Sequence, residues 1–194
     1  TFERSIQIFL TEVVVASIGP DKNVTEIRAA LAMGVDRGIH VKHEGALDPV
    51  VVSALIAKVC EAEKPDLVIL GKQSIDDDQN QAGQYLAERL GVPQATFASK
   101  TESLESEAEQ KKAPGLTLAA DGKWLSVVRE IDGGVETVEV SLPAVVTTDL
   151  RLNKPRFASL PGIMKAKKKE VREIPAASLG VELAPRVIVK RLAE

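Results

Sequence analysis

In the segment DLVILGKQSIDDDQNQAGQYLAERLG, residues Asp66–Gly91, an apolar run is followed by a polar loop and then by a helical stripe. The run Asp66–Leu70 is uniformly apolar after its first residue, as expected of a strand covered on both faces. Tyr85, Leu86 and Leu90 recur at helical spacing, and Gly91 with Pro93 closes the helix. Strand, loop, helix in that order is one half of a βαβ unit, the building block of a parallel sheet.

The same grammar extends toward the N-terminus. Val13, Val14 and Val15 form a strand that ends at Gly19-Pro20, and DKNVTEIRAALAMG follows, with Ile27, Ala30, Leu31 and Met33 on a helical stripe and Gly34 at its C-terminal cap. A short strand is expected at Ile39–Val41. Asp48-Pro49 then reads as N-cap and first helical position of a helix from Val50 to Glu63, which Pro65 stops. Toward the C-terminus the residues Thr101–Pro114 turn to Glu, Ser, Lys and Ala, the composition of a solvated loop or short surface helix. Beyond them the period becomes two. Leu125 and Val127 lead to the turn Asp132-Gly133-Gly134, and Val138, Val140 and Leu142 resume on one face, a hairpin pattern. AVVTTD gives another strand, RLNKPRFASLPGIMKAKKKEVREI offers few core positions, and a last short strand is expected at Val187–Val189.

Composition bounds the function. The chain has 194 residues, 44% hydrophobic and 27% charged, with a formal charge of -3. A chain of this length buries about 70% of its unfolded surface, so it needs neither disulfides nor a structural metal. The single Cys60 suits a reducing compartment. Only 3% of residues are aromatic, which together with the acidic balance argues against nucleic-acid binding. No apolar run approaches the roughly 20 residues of a membrane span, and TFERSIQIFLTE lacks the basic and apolar regions of a secretory leader.

The loop Gly71–Ala82 lies where open parallel sheets receive nucleotides, with helix N-terminal amides available to phosphate. It has neither the Walker spacing nor GxGxxG. Asp76, Asp77 and Asp78 would repel a phosphate unless most of them turn away. They read as a helix-capping acidic turn or as partners for ribose hydroxyls or an adenine amine, with ligation of a divalent metal a third and weaker reading because consecutive acids on one turn diverge. His40 and His43 have no Cys or carboxylate at ligand spacing and read as ordinary surface residues. Cys60 falls in an apolar helix stripe and reads as a buried structural thiol. Lys165, Lys167, Lys168 and Lys169 follow LPGIM (Leu160–Met164). They read as a solvated face or as charge ringing an apolar anchor, the pattern of a transient docking element.

GKQSIDDDQNQAGQ (Gly71–Gln84), VVREIDGGVETVEVSLPAVVTTDLRLNKPRF (Val127–Phe157) and LPGIMKAKKK (Leu160–Lys169) closely resemble the beta subunit of electron transfer flavoprotein. The resemblance runs, with one gap, from about Val13 to about Leu183. It implies a three-layer Rossmann-like fold of the adenine nucleotide alpha-hydrolase-like kind, with an added β-hairpin and an extended C-terminal recognition loop. The segments implied are a nucleotide-binding domain over 1–147 with an acidic insertion near 101–121, a partner recognition loop over 148–170, and a tail over 171–194 packing on an alpha subunit. It implies an electron carrier rather than an enzyme: a heterodimer with that alpha subunit shares one FAD, held mainly by alpha, and binds a structural AMP on beta. Electrons pass from acyl-CoA and related dehydrogenases, as in fatty acid beta-oxidation, to a membrane quinone oxidoreductase, with no insertion of this chain into the membrane. The compartment implied is the mitochondrial matrix, or the cytoplasm of a bacterium.

By the same resemblance the AMP contacts fall on Ile18 and on Gly71, Lys72, Gln73, Ser74, Ile75, Asp76, Asp77, Asp78, Gln79, Asn80, Gln81 and Ala82, with Ser74, Asp77, Asn80, Gln81 and Ala82 foremost. Leu160 matches the leucine that anchors in a dehydrogenase pocket, with Pro161, Ile163 and Met164 beside it. Lys165 and Lys168 match lysines methylated in animal members, and Glu130 matches an acid that helps set the mobile flavin domain. No catalytic residue and no metal ligand is implied. Ile18 stands where members can carry Cys, and Ala82 where they can carry Thr. TFERSIQIFLTE replaces a strand and an Asn-Pro-containing loop, and the C-terminal arm is shorter, so weakened AMP binding and subunit assembly are expected. The alternatives are an adenine-nucleotide-binding module without a redox role and a truncated non-functional form.

Overall fold

In a computed structural model the chain is described at residues 12–75, 78–99, 115–153 and 157–187, with the backbone also of 6–7. The expected Asp76 and Asp77 contacts, most of the acidic segment near 101–121, and Ile188 and Val189 of the expected last strand lie outside the described residues. Contacts gather the chain into two units, Thr1–Leu10 with Glu63–Arg156 and Thr11–Ala62 with Phe157–Glu194. This grouping follows different lines from the segments 1–147, 148–170 and 171–194, which remain a proposal about roles.

The first unit is built on a seven-stranded sheet. Its strands are β1 (Ile6–Gln7), β4 (Leu67–Gly71), β5 (Gln94–Ala98), β6 (Leu116–Leu118), β7 (Trp124–Ile131), β8 (Gly134–Ser141) and β9 (Ala144–Thr148). β9 runs parallel to both β4 and β5, so it is central, and Ala144, Val145, Val146 and Thr147 are buried. β4 stands at the end of the strand order, and its Leu67–Leu70 are only half-buried. Among the described residues of this sheet, the run expected to be covered on both faces stands at the end of the strand order, and the strand buried along most of its length is β9. An apolar run alone cannot distinguish the two. The hairpin expectation holds: β7 and β8 pair antiparallel from Trp124↔Ser141 to Ile131↔Gly134, and Gly133 supplies the left-handed residue of the turn at φ 84°. Leu125, Val127 and Val140 enter a core with Ala95, Ala98, Leu116, Ala144, Val146 and Leu152.

In the second unit β2 (Val14–Gly19), β3 (Arg37–Lys42) and β10 (Val171–Pro175) form an all-parallel sheet in the order β10-β3-β2. The helix Pro49–Glu63 packs Val51, Leu55 and Val59 against Ile39 and Val41 of β3. Against the sheet's Val15 and Val171, helices Asn23–Ala32 and Leu160–Ala166 pack Ile27, Leu31 and Ala166. Helix, sheet and helix make the three layers of a Rossmann-like α/β arrangement. Asp48 caps the Pro49–Glu63 helix as expected, its Oδ1 accepting the Val51 amide at 2.9 Å. Cys60 is buried, and burial pushes its thiol up. β10 and the helix Leu160–Ala166 arise from sequence that showed no such elements. With the helices numbered in chain order, α1 is Asn23–Ala32, α2 Pro49–Glu63, α3 Ala82–Leu90 and α4 Leu160–Ala166. No helix among the described residues is long and apolar enough to cross a membrane.

Candidate functional site

The loop Gly71–Ala82 leaves the C-terminal end of β4 and enters α3, as the sequence predicts. Gly83, Leu86, Ala87 and Leu90 follow the spacing of one helical face, and the first three of them are buried. Tyr85, expected on that stripe, is 41% exposed because it stands one residue before the buried turn. Gly83 makes the approach to the sheet close: a Cβ there would lie 2.3 Å from Thr147 Cγ2 of β9.

Several polar groups of the loop are already engaged. The Lys72 amide donates to Thr148 O at 2.9 Å, and its ammonium meets Asp149 Oδ2 at 2.7 Å and lies 5.1 Å from the Phe97 ring centroid. Gln73 Nε2 donates to Asp78 Oδ1 at 2.8 Å, so that carboxylate is satisfied within the loop. Asp78 and Asn80 both take left-handed backbone conformations, φ 50° and 47°, which these residue types tolerate. Ser74 and Gln79 are exposed, Ile75 is 89% exposed, and Gln81 and Ala82 bring the chain to the helix. At the N-terminus of α3, Gln81 gives no side-chain cap and the first turn carries no acid. The first-turn amides of a helix lack intrahelical acceptors, and its dipole favours an anion there. Gln84 Oε1, one turn in, is buried without a hydrogen-bond partner among the described residues.

Behind the loop runs an ion-pair relay that no local sequence pattern announces. Asp149 accepts from Lys72 and, at 2.9 Å, from Arg151 Nε. Arg151 Nη2 also pairs closely with Glu130. Burial alone would raise the Asp149 carboxyl, but the bond from Lys72, the Arg151 amide and the Lys72 charge hold it below the usual carboxylate range. Glu130, singled out by resemblance, is thus one end of a chain of charges whose other end is Lys72. Asp149 and Arg151 come from TTDLR, where nothing in spacing distinguishes them from ordinary surface charges.

In the second unit Ile18 is half-buried near the end of β2, and its carbonyl accepts from Asn23 Nδ2 at 3.0 Å. In the same unit α4 begins at Leu160, with Ser159 as N-cap accepting the Gly162 amide at 3.2 Å and Pro161 in the first turn. Arg28 of α1 holds its other end, donating from Nη1 to Ala166 O at 2.6 Å and to Lys169 O at 2.7 Å. This anchorage explains how an apparently unburiable segment becomes helical: only Ala166 turns inward, and the remaining stability comes from a charged donor on two helix-end carbonyls. Leu160, Ile163 and Met164 stay exposed, with Phe157 nearby in the chain at 98% exposure. Lys165, Lys167 and Lys168 are exposed, but Lys169 is half-buried and not part of a solvated face. Its ammonium donates to Leu31 O and Val35 O at the end of α1.

His40 corrects the surface expectation outright. It is fully buried, and its Nε2 lies 2.9 Å from Gly19 O. A central strand in a parallel sheet buries both faces, which the short run around it could not reveal. His43 is half-buried.

Comparison with known proteins agrees with this architecture. The electron transfer flavoprotein domain family matches residues 3–179. The chain is 52% identical over 184 residues to an electron transfer flavoprotein subunit beta of Bradyrhizobium diazoefficiens, covering 95% of this chain and 67% of that protein. It is 49% identical over 182 residues to the subunit beta of Mus musculus, with coverage of 92% and 65%. To the mitochondrial subunit beta of Arabidopsis thaliana it is 45% identical over 186 residues, with coverage of 96% and 68%. The chain thus spans about two thirds of the length of these curated relatives. With the family match running through both units and identity near one half over almost all of its length, this chain belongs to the electron transfer flavoprotein family, on its beta-subunit side.

Proposed function

We propose that the chain serves as the beta subunit of a heterodimeric electron carrier, without enzymatic turnover of its own. In this reading an alpha subunit is its obligate partner, and the pair takes electrons from acyl-CoA and related dehydrogenases and delivers them to a membrane quinone oxidoreductase. It works in the mitochondrial matrix or a bacterial cytoplasm. Bound FAD, held mainly by alpha, supplies the redox chemistry. This chain's residues bind, orient and dock.

The Gly71–Ala82 loop suits AMP. The N-terminal amides of α3 would receive the phosphate, and the absence of acid in that turn avoids repulsion. Lys72 would not be a free phosphate ligand, because Asp149 already holds its ammonium. Its role is to brace the base of the loop. Asp78 is held within the loop by Gln73, so in this reading its carboxylate is engaged away from the phosphate.

Docking falls to α4. The single observation that carries this reading is the exposure of Leu160, Ile163 and Met164 on a helix pinned from behind by Arg28, with Lys165 and Lys168 beside them. An apolar anchor on a firm base gains affinity cheaply, and the lysines steer an acidic partner.

The test is co-expression with an alpha subunit from the same source, followed by identification of extracted nucleotides and measurement of flavin reduction by an acyl-CoA dehydrogenase. Leu160→Ala is expected to slow that reduction by about tenfold, as for loss of an anchor residue, while AMP and FAD content stay unchanged. Failure of every candidate alpha subunit to co-purify would overturn the carrier reading. Bound AMP with no effect of Leu160→Ala would favour a nucleotide-binding module without redox work.

A further inference from the structure

His40 sits at the middle of β3, and its register partner on the adjoining parallel strand β10 is Glu173. Partners in register project to the same side of a sheet. The loop after β2 brings Asp21 to the same place. One ligand atom from each of Asp21, His40 and Glu173 lies within 4.8 Å of the others. The three residues are far apart in sequence, which is why ligand spacing gave no hint of them.

The chemistry of the imidazole sharpens the picture. Gly19 O accepts the His43 amide at 3.0 Å and faces His40 Nε2 at 2.9 Å. A carbonyl only accepts, so Nε2 carries the proton and Nδ1 presents a bare lone pair. That Nδ1 is buried and has no hydrogen-bond partner among the described residues, with Glu173 Oε2 3.9 Å away. An imidazole whose other ring N–H is fixed on a backbone carbonyl is the usual preparation of a histidine for metal. Both carboxylates belong to exposed residues, and Asp21 is paired with Lys42 at present. Ligands about 2.1 Å from a tetrahedral ion lie about 3.4 Å apart, a closure of little more than an ångström from the present spacing.

The present counter-charge is Lys42, two residues along β3 from His40, whose ammonium meets Asp21 Oδ1 at 2.6 Å. Glu173 and Glu44 attract it as well, so it keeps carboxylate company when Asp21 turns away.

We propose that Asp21, His40 and Glu173 form a site for a divalent transition-metal ion of the zinc class, with Lys42 holding Asp21 until the ion arrives. One imidazole nitrogen with two carboxylates and an open fourth position suits zinc, whereas magnesium and calcium prefer oxygen ligands alone. The ion would tie the loop after β2 to β10. Its work is structural, and it is independent of the electron-carrier reading.

Zinc chloride is titrated calorimetrically into the full chain in chelator-cleared buffer, with thermal unfolding followed in parallel. Expected are one equivalent bound, a rise in Tm, and no response to magnesium. Glu173→Gln and Asp21→Asn, both at exposed positions, should each weaken binding by more than about tenfold. Lys42→Met should tighten it, and His43→Ala should leave it unchanged. Cobalt in place of zinc should give the intense visible bands of a tetrahedral site. No zinc uptake by the wild type, uptake indifferent to both carboxylate variants, or uptake abolished by His43→Ala would each overturn the proposal.

Discussion

Gly83 of α3 and Thr147 of β9 are packed so closely that no side chain fits between them, a Cβ at 83 lying 2.3 Å from Thr147 Cγ2. The contact brings the N-terminal turn of α3 against the central strand of its sheet. Gly83→Ala should therefore destabilise the first unit by about 1–3 kcal/mol despite the better helix propensity of alanine, because the helix must move off β9. Urea unfolding followed by circular dichroism checks the sign. A stabilised variant would mean that the helix shifts freely.

Arg28 is expected to matter more to α4 than to α1, on which it stands. Replacement by Ala removes the donor to Ala166 O and Lys169 O. A loss of about 1.5–3 kcal/mol follows for hydrogen bonds from a charged group, tempered by partial exposure. Amide exchange in 160–169 should accelerate while α2 stays protected.

Leu160→Ala, by contrast, should barely change stability, within about 0.5 kcal/mol, since the side chain is 74% exposed. Comparing its unfolding curve with that of Arg28→Ala separates a docking defect from a folding one.

Asp48 should make the second unit acid-sensitive. Its burial opposes the charge, but amides of Val51, Arg186, Val187 and Val50 outweigh this and hold its carboxyl low. With a folded value below the unfolded one, its contribution is complete above the ordinary carboxylate range and is lost as pH falls through the folded value. Asp48→Ala should cost about 1–2 kcal/mol at neutral pH for the cap alone. The difference from wild type should shrink below about pH 4. A difference that stays constant down to acid denaturation would contradict this.

Asp149→Asn should loosen Lys72 and Arg151 together, since both pair with that carboxylate. The expected outcome is faster amide exchange at Lys72 and a lower Tm. Because Asp149 is held low by Lys72, the wild type should lose this advantage only in acid.

Much of this architecture could be read from local pattern. The Asp48-Pro49 start of α2, the Asp132-Gly133 turn and the β4-loop-α3 order each depend on neighbours in sequence. What escaped depended on distant ones. β10 is a strand because Val171–Pro175 finds β3, not because its five residues alternate well. α4 is a helix because Arg28 and Lys169 tie its end to α1. His40 is buried because strands on both sides enclose β3, and Asp149 gains its role only when Lys72 arrives from β4's end. The loop between β4 and α3, proposed above to take a nucleotide, was legible as a loop by its position between an apolar run and a helical stripe. Its satisfied Asp78 was not, since the Gln73 contact depends on a left-handed backbone at Asp78 that spacing does not foretell.

The parallel pairing of β10 with β3 also sets an order of events at the ribosome. β2 and β3 emerge early, yet the strand that completes their sheet is synthesised only after the whole 63–156 stretch has passed. The middle of the chain can mature while its flanks wait, and the edge of β3, with its buried-to-be Ile39 and Val41, stays open for that interval. Such late closure exposes an adhesive strand edge during translation. Synthesis rate and chaperone supply then bear on the folding of this chain alongside its final stability.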